Sequence, residues 1–505
     1  MRSILFLSDT AMRRFMKLYN SSGIHLPNIE RLAQRSITFD NHWTGSAPCM
    51  PARRDIMTGR LNFLDRNWGP IEPFDYTLPQ IMRTAGVSSR MITDHYHYFE
   101  LGGEGYCQMF DSWELIRGQE WDPWISRTKE KEIPEHLGKI VPQYWYNRDA
   151  FVDDESKYPS AVTIQNAADW LEENHDQDDF MLWVEPFDPH EPFEVPQHYL
   201  DAVGDDYEGT LYLWPEYKHV DVDEEALKHI KKRYLALFLM TDHWLGKILD
   251  VMDRYNMWDD TAFIYTTDHG YMLGEHGYMA KNYMPAFNEV YHIPLIVHLP
   301  GSEGAGTRCN GLTQNIDILP TLMDIYGIDD SVCRNPLHGR SWLPMVRGEV
   351  KSIRDYAIYG YFGKQINITD GRYTYFRTPT PDNRPLNVYT CMPTEAFVYF
   401  GLDRLTDPTA ITSDCYLSWV NYPVFRIPAD IVKANDDGTL RYVKLYEWEQ
   451  HDQLYDLESD YAQENNIFDS DEINRKRMED AMVQTLKAHD APKEQFVRMR
   501  FADEC

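Results

Sequence analysis

The segment Cys49-Met50-Pro51-Ala52-Arg53 carries the strongest chemical signal in the 505-residue chain. Pro51 suits the first turn of a helix, where its missing N–H costs nothing. Cys49 would then stand at the helix N-terminus, where free amide groups and the helix dipole favour an anion. Arg53, one turn further on, can reach back towards it. The pattern describes an activated, anion-facing cysteine. A second copy, Cys391-Met392-Pro393-Thr394-Glu395, puts Glu where Arg53 stands and reads as chance. Further reactive types follow apolar runs: Asp9; His95 and His97 in Thr93-Asp94-His95-Tyr96-His97; His190 in Asp188-Pro189-His190-Glu191; and Asp268-His269-Gly270 with Lys281 beyond. Singly, each has a plain explanation as a turn, a cap or a packing residue. Together, carboxylates and imidazoles at separate strand ends can converge on one divalent cation and its anionic ligand.

The elements needed to deliver these groups are legible. Apolar runs at Ile4–Leu7, Val87–Thr93, Phe180–Val184, Thr261–Thr266 and Pro294–Leu299 predict strands. Helical periodicity predicts helices over Pro27–Arg35, Thr77–Ala85, Ala161–Glu173 and Glu224–Asp253. Their alternation implies an α/β fold, a mainly parallel sheet sandwiched by helices, whose ligands gather beyond the carboxyl ends of the strands. Past residue 350 short meander strands at Tyr356–Tyr361, Gln365–Thr369 and Tyr373–Arg377 precede a helix near Asp471–Ala488. The expected division is a catalytic domain over 1–350 and a smaller C-terminal α+β subdomain over 351–505. Segments 201–223 and 377–440 read as loop-rich insertions.

Bulk composition narrows the partners. With 49 basic and 80 acidic residues the formal charge is −31, which argues against nucleic acid and anionic membrane surfaces. Residues 1–60 depart from this balance, holding nine basic groups against four acidic ones. No apolar run approaches the ~18 residues of a membrane span, and no signal-peptide pattern opens the chain. Seven scattered cysteines without CxxC spacing fit a reducing, cytoplasmic setting.

The chain resembles the sulfatase family of the alkaline phosphatase superfamily. Cys49-x-Pro51-x-Arg53 with Thr58-Gly59-Arg60 matches its signature, and Ser8-Asp9 falls at its first metal turn. Asp268-His269-Gly270, Leu273-Gly274-Glu275-His276-Gly277 and Lys281 match its second metal motif. Asn315–Leu322 and Leu454–Glu458 match a post-sheet helix and a C-terminal strand. The resemblance implies that Cys49 is oxidised to formylglycine by a maturation enzyme, and that Asp9, Asp268, His269 and residue 49 ligate one divalent metal ion (Ca, Mg, Mn or Zn). It implies that Arg53 holds the formylglycine hydrate and Lys281 contacts the sulfuryl oxygens. His190 would protonate the leaving group, and His97 would assist breakdown of the intermediate. His95 replaces a lysine found in many relatives.

Such a hydrate carries two hydroxyls on one carbon. One attacks sulfur, and deprotonation of the other expels sulfate and restores the aldehyde. Thr10 stands where many sulfatases have a second acid, and His269 supplies nitrogen; both shift the metal preference from calcium towards manganese or zinc. The expected substrate is a small anionic ester, with a sulfated saccharide or an aryl or alkyl sulfate foremost, and a homo-oligomer is compatible with the chain. Phosphonate monoester hydrolases and phosphodiesterases share these motifs and form the alternative. A catalytically silent metal- and glycan-binding protein with unmodified Cys49 is the alternative of another class.

Overall fold

The computed structural model describes residues 1–501 except 283, 397, 400–404, 406 and 430–450. Its centre is a nine-stranded sheet. Across it run Arg308–Cys309, Ile37–Trp43, His292–His298, Thr261–Thr266, Arg2–Leu7, Phe180–Glu185, Ser88–Thr93 and Ser112–Leu115, with Thr313–Gln314 added to Ile37–Trp43. The strands from Thr261–Thr266 to Ser112–Leu115 are all parallel, whereas His292–His298 is antiparallel to both its neighbours.

The first strand shows why both faces must be covered. Its side chains alternate, so Ile4 and Phe6 enter one core with Leu182, Val184, Phe263 and Tyr265. Leu5 and Leu7 enter the other with Met91, Met181, Trp183 and Ile264. The long helix Glu224–Arg254 and the helix Pro159–Glu173 seal the first face; Asp223 caps the former by accepting from the Ala226 N–H. The helices Cys49–Thr58, Leu78–Thr84 and Ile318–Tyr326 seal the second.

A second, five-stranded sheet is ordered Gln453–Asp456, Tyr373–Arg377, Ile366–Thr369, Ala357–Tyr361 and Ser46–Ala47. Met478, Met482 and Leu486 of the helix Glu472–Ala488 pack on it against Ile358, Ile366 and Ile368. Its last strand comes from far away in sequence: Ser46 and Ala47 pair in parallel with Gly360 and Tyr361. The segment that leads into Cys49 is therefore a strand of the smaller sheet.

The strands Ile37–Trp43 and Ser46–Ala47 escape the sequence reading. Asp40, Asn41 and His42 interrupt the apolar run of the first, and the second is two residues long. The loop-rich reading of 377–440 is too coarse, since Asn387–Thr390, Thr412–Asp414 and Val424–Pro428 pair as a three-stranded sheet. Its part from 430 onward lies outside the described residues. Among the described residues no helix is long and apolar enough to cross a membrane.

Candidate active site

Four neighbouring parallel strands, Ser88–Thr93, Phe180–Glu185, Arg2–Leu7 and Thr261–Thr266, end level with one another. Beyond those ends the chain places His95 and His97, His190, Asp9, and Asp268 with His269, all buried. The helix Cys49–Thr58 enters the same crevice N-terminus first, with Cys49 as its first residue and Gly59 closing it in the left-handed region at φ 65°. Asp55 anchors this entry. It accepts hydrogen bonds from the Ser46 N–H (2.6 Å), the Ser46 hydroxyl (2.8 Å) and the Asn62 side-chain amide (2.6 Å). Burial nevertheless pushes its carboxyl up to about 7.

Donor atoms of Asp9, Cys49, Asp268 and His269 all lie within 4.8 Å of one another. The turn carrying the last two depends on Gly270, where a Cβ would sit 1.9 Å from the Glu289 carbonyl oxygen. The Asp9 turn depends on Thr10, which holds φ at 63°, a conformation that a β-branched residue rarely adopts. Three bonds hold it there. Its N–H donates to Asp268 Oδ1 (3.1 Å), its hydroxyl donates to Asp9, and its carbonyl accepts from the Tyr234 hydroxyl (2.9 Å).

The Arg53 guanidinium is bonded to carboxylates on three sides. Nε donates to Glu185 (2.7 Å), and the two terminal nitrogens donate to Asp268 (2.6 Å) and Asp9 (2.7 Å), all wholly buried. The carboxylates attract the guanidinium more strongly than a thiol can, so Arg53 fixes their positions. Glu185, one residue past the predicted strand Phe180–Val184, is absent from the sequence reading. It also accepts from the Tyr98 hydroxyl (2.8 Å) and Trp183 Nε1 (2.7 Å).

Three buried carboxylates thus share one guanidinium. The excess negative charge beside Cys49 fits a divalent cation on Asp9, Asp268, His269 and residue 49, because buried charge must be matched. Without such a cation, His269 takes part of that role. Burial opposes its charging, but Asp268 and Cys49 raise its imidazole to about 10. Cys49 Sγ lies 3.2 Å from His269 Nε2. Burial pushes the Cys49 thiol up and Asp9 adds to this, yet Lys281, His269 and His190 bring it down to about 6.

Lys281 and His190 meet in a hydrogen bond between Nζ and Nε2. Nδ1 of His190 faces the Glu191 carbonyl (2.5 Å) and carboxylate (3.3 Å). Burial works against its charging, but Glu191 and Asp9 leave His190 above its ordinary value. Lys281 is likewise raised despite burial, by Cys49, Glu191, Asp9 and Asp268.

His97 lies between two carboxylates. Nδ1 meets Glu100 (2.5 Å) and Nε2 meets Glu120 (2.9 Å). Burial opposes the charge, but the two carboxylates raise the ring to about 10, so it is an imidazolium at neutral pH. His95 lies 3.8 Å from Asp9 and is held neutral by burial, Arg53 and His97. Glu100 and Glu120 escape the sequence reading because carboxylates in loops carry no periodic signal. Glu191 stands inside a recognised motif, but nothing in the sequence assigns it a task.

The geometry therefore brings Asp9, Cys49, Arg53, His95, His97, His190, Asp268, His269 and Lys281 together beyond the strand ends, all buried. A sulfatase family model matches residues 3–328, and the chain belongs to the sulfatase family, whose members are sulfuric ester hydrolases. It is 28% identical over 388 residues to a choline-sulfatase of Rhizobium meliloti (strain 1021), covering 70% of this chain and 73% of that protein. It is 23% identical over 434 residues to an N-acetylglucosamine-6-O-sulfatase of Bacteroides thetaiotaomicron, covering 71% and 73%. Among solved structures, a phosphonate monoester hydrolase of Agrobacterium radiobacter aligns with a TM-score of 0.66 at 20% identity, covering 97% of this chain and 96% of that one. That likeness identifies the alkaline phosphatase-like fold.

Proposed function

We propose that this chain hydrolyses the sulfate ester of a small alcohol or saccharide, using a formylglycine derived from Cys49 and one divalent metal ion. The observation that carries this reading is the buried set of three carboxylates on one guanidinium at the helix N-terminus that presents Cys49. Asp9, Asp268, His269 and residue 49 would hold the metal, with manganese or zinc suiting the mixed oxygen and nitrogen donors. Such an ion lowers the pKa of an oxygen nucleophile and offsets charge on the transferring group, and the hydrated aldehyde supplies that nucleophile.

The chain's own side chains would do the rest. Lys281 meets the sulfuryl oxygens with a charge held by Asp9 and Asp268. His190 Nε2 and Lys281 Nζ share one hydrogen bond and hence one bridging proton; with Glu191 at Nδ1 supporting the imidazolium, that proton passes to the leaving oxygen. His97 adds positive charge rather than basicity. Arg53 keeps the carboxylates apart and oriented. Domain 1–350 would carry this chemistry, with 351–505 bracing the strand that leads into Cys49. A maturation enzyme that oxidises Cys49 is the required protein partner.

Mass spectrometry of the Cys49 peptide, with metal analysis of the same sample, tests the reading. Formylglycine is about 18 Da lighter than cysteine. Active protein that carries only the thiol would overturn it. Matched 4-nitrophenyl sulfate, phosphodiester and phosphonate esters test the bond class, and the sulfate is expected to turn over fastest. A phosphonate rate far above the sulfate rate would transfer the site to phosphonate ester hydrolysis.

A further inference from the structure

Beside the leaving-group side of this crevice lies a cation that the chemistry above does not use. Lys139 follows the short strand His136–Gly138, which pairs in parallel with Leu211–Trp214. Its backbone N–H donates to the Trp214 carbonyl (2.8 Å), which fixes where its side chain starts. The ammonium lies 4.2 Å from the centre of the Trp121 ring and 4.6 Å from that of Trp214. The two indoles are nearly parallel, 5.9 Å apart at 5°. Trp214 is fully buried in the core.

Among the described residues Lys139 has no carboxylate within ion-pairing distance and no side-chain hydrogen bond. Nearby cations contrast with it: Lys281 is bonded to His190, and Arg53 to three carboxylates. The carboxylates closest in electrostatic reach, Glu120 and Glu191, are already engaged. Glu120 meets His97, while Glu191 meets His190 and accepts from the Tyr217 hydroxyl (2.5 Å). Burial lowers the Lys139 pKa, and Lys281 lowers it further. Aromatic faces stabilise an ammonium but leave its three N–H donors unused.

We propose that Lys139 is a specificity-determining residue that binds an anionic group on the alcohol portion of the substrate, a second sulfate or a carboxylate. Its place fits that task. The Trp121 ring under the ammonium lies 5.6 Å from the His97 ring, His97 meets Glu120, and Glu120 clusters with Glu191 and His190, the candidate acid for the leaving oxygen, so Lys139 stands on the leaving-group side of the crevice. The faces of Trp121 and Trp214 hold the ammonium, and its unused donors can turn to an incoming oxyanion. Lys281 serves the sulfuryl group being cleaved; Lys139 serves a charge that remains on the product. The inference rests on the sulfatase reading and narrows it from sulfate esters in general to esters whose alcohol is itself anionic.

The test compares N-acetylglucosamine 6-sulfate with glucosamine 2-N,6-O-disulfate, following sulfate release by wild type, K139Q and K139R. Wild type is expected to favour the doubly anionic ester in KM. K139Q should raise KM for that ester about tenfold, leave its kcat within about twofold, and leave the singly anionic ester unchanged. K139R should restore the preference, because it keeps the charge, and it also shows that the position tolerates substitution. Equal losses on both esters, or a wild-type enzyme indifferent to the second charge, would overturn the inference while leaving the sulfatase reading intact. Should only phosphonates be cleaved, 4-nitrophenyl and 4-carboxyphenyl phenylphosphonate replace the pair. The sulfatase reading then fails, and the same KM contrast still decides Lys139.

Discussion

Two Cys-Met-Pro segments occur in this chain, and their fates are opposite. Cys49 heads a ten-residue helix aimed at four strand ends, and Lys281, His269 and His190 bring its thiol down to about 6 against the effect of burial. Cys391 is partly buried, and its backbone N–H donates to Glu72 (2.9 Å). Burial, followed by the Glu72 charge, pushes that thiol up to about 11. The tripeptide is the same, so local sequence does not set thiol acidity. The charges delivered by distant elements do, and only the first copy receives a lysine and two histidines.

Substitutions can break or sharpen this contrast. The largest effect is expected at the cysteines themselves. C49A should lower sulfate-ester turnover by about 10⁴-fold or more, the scale of losing a covalent nucleophile, whereas C391A should stay within about twofold. Steady-state assays of both variants decide this, and comparable losses would dissolve the distinction.

Next come the charged neighbours. R53M strands three buried carboxylates and should cost about 3–5 kcal/mol of stability, as breaking buried ion pairs does. E72Q, beside Cys391, weakens a carboxylate that accepts from the Thr390 hydroxyl and the Cys391 (2.9 Å) and Met392 (3.2 Å) N–H groups, and should cost about 1–3 kcal/mol. Urea denaturation of the two variants compares them directly.

A third change would make the two thiols more alike. K281M removes the cation that most strongly opposes burial at Cys49, so the Cys49 titration should move from about 6 towards the ordinary 9. Thiolate absorbance of unmodified protein against pH, with C49A as background, reads that shift. An unmoved midpoint would mean that Lys281 does not set the acidity.

The smallest expected effect concerns His97. Its folded pKa of about 10 exceeds the ordinary 6.5, so its ion pairs with Glu100 and Glu120 add stability that is whole below about 6.5 and is lost as pH rises through about 10. The melting temperature of H97Q should therefore lie furthest below wild type near pH 6 and approach it above pH 10. A gap independent of pH would assign the loss to packing.

Much of the fold was legible because its elements have strong periodic patterns. Thr261–Thr266 and Tyr373–Arg377 form where the apolar pattern puts them, and Glu224–Arg254 differs from its expected span by one residue at the end. Ser46–Ala47 was not legible, since a two-residue strand exists only through its partners Gly360 and Tyr361. The site divides in the same way. Asp9, Cys49, Asp268, His269 and Lys281 stand in ordered motifs whose spacing is itself information. Glu185, Glu100, Glu120 and Lys139 stand in none, and each matters only through what it faces.

By itself, the sequence determined the reactive types, the strands that bring them to one crevice, and the helix N-terminus that presents Cys49. Those depend on near neighbours in the chain and on hydrophobic periodicity. Only the tertiary structure decided that Arg53 bonds three carboxylates, that two glutamates flank His97, and that Lys139 lies against two indoles with no ion pair among the described residues. Coulomb energy depends on distance in space and on burial. Residues 53 and 185, or 139 and 214, acquire both only when the chain has closed around them.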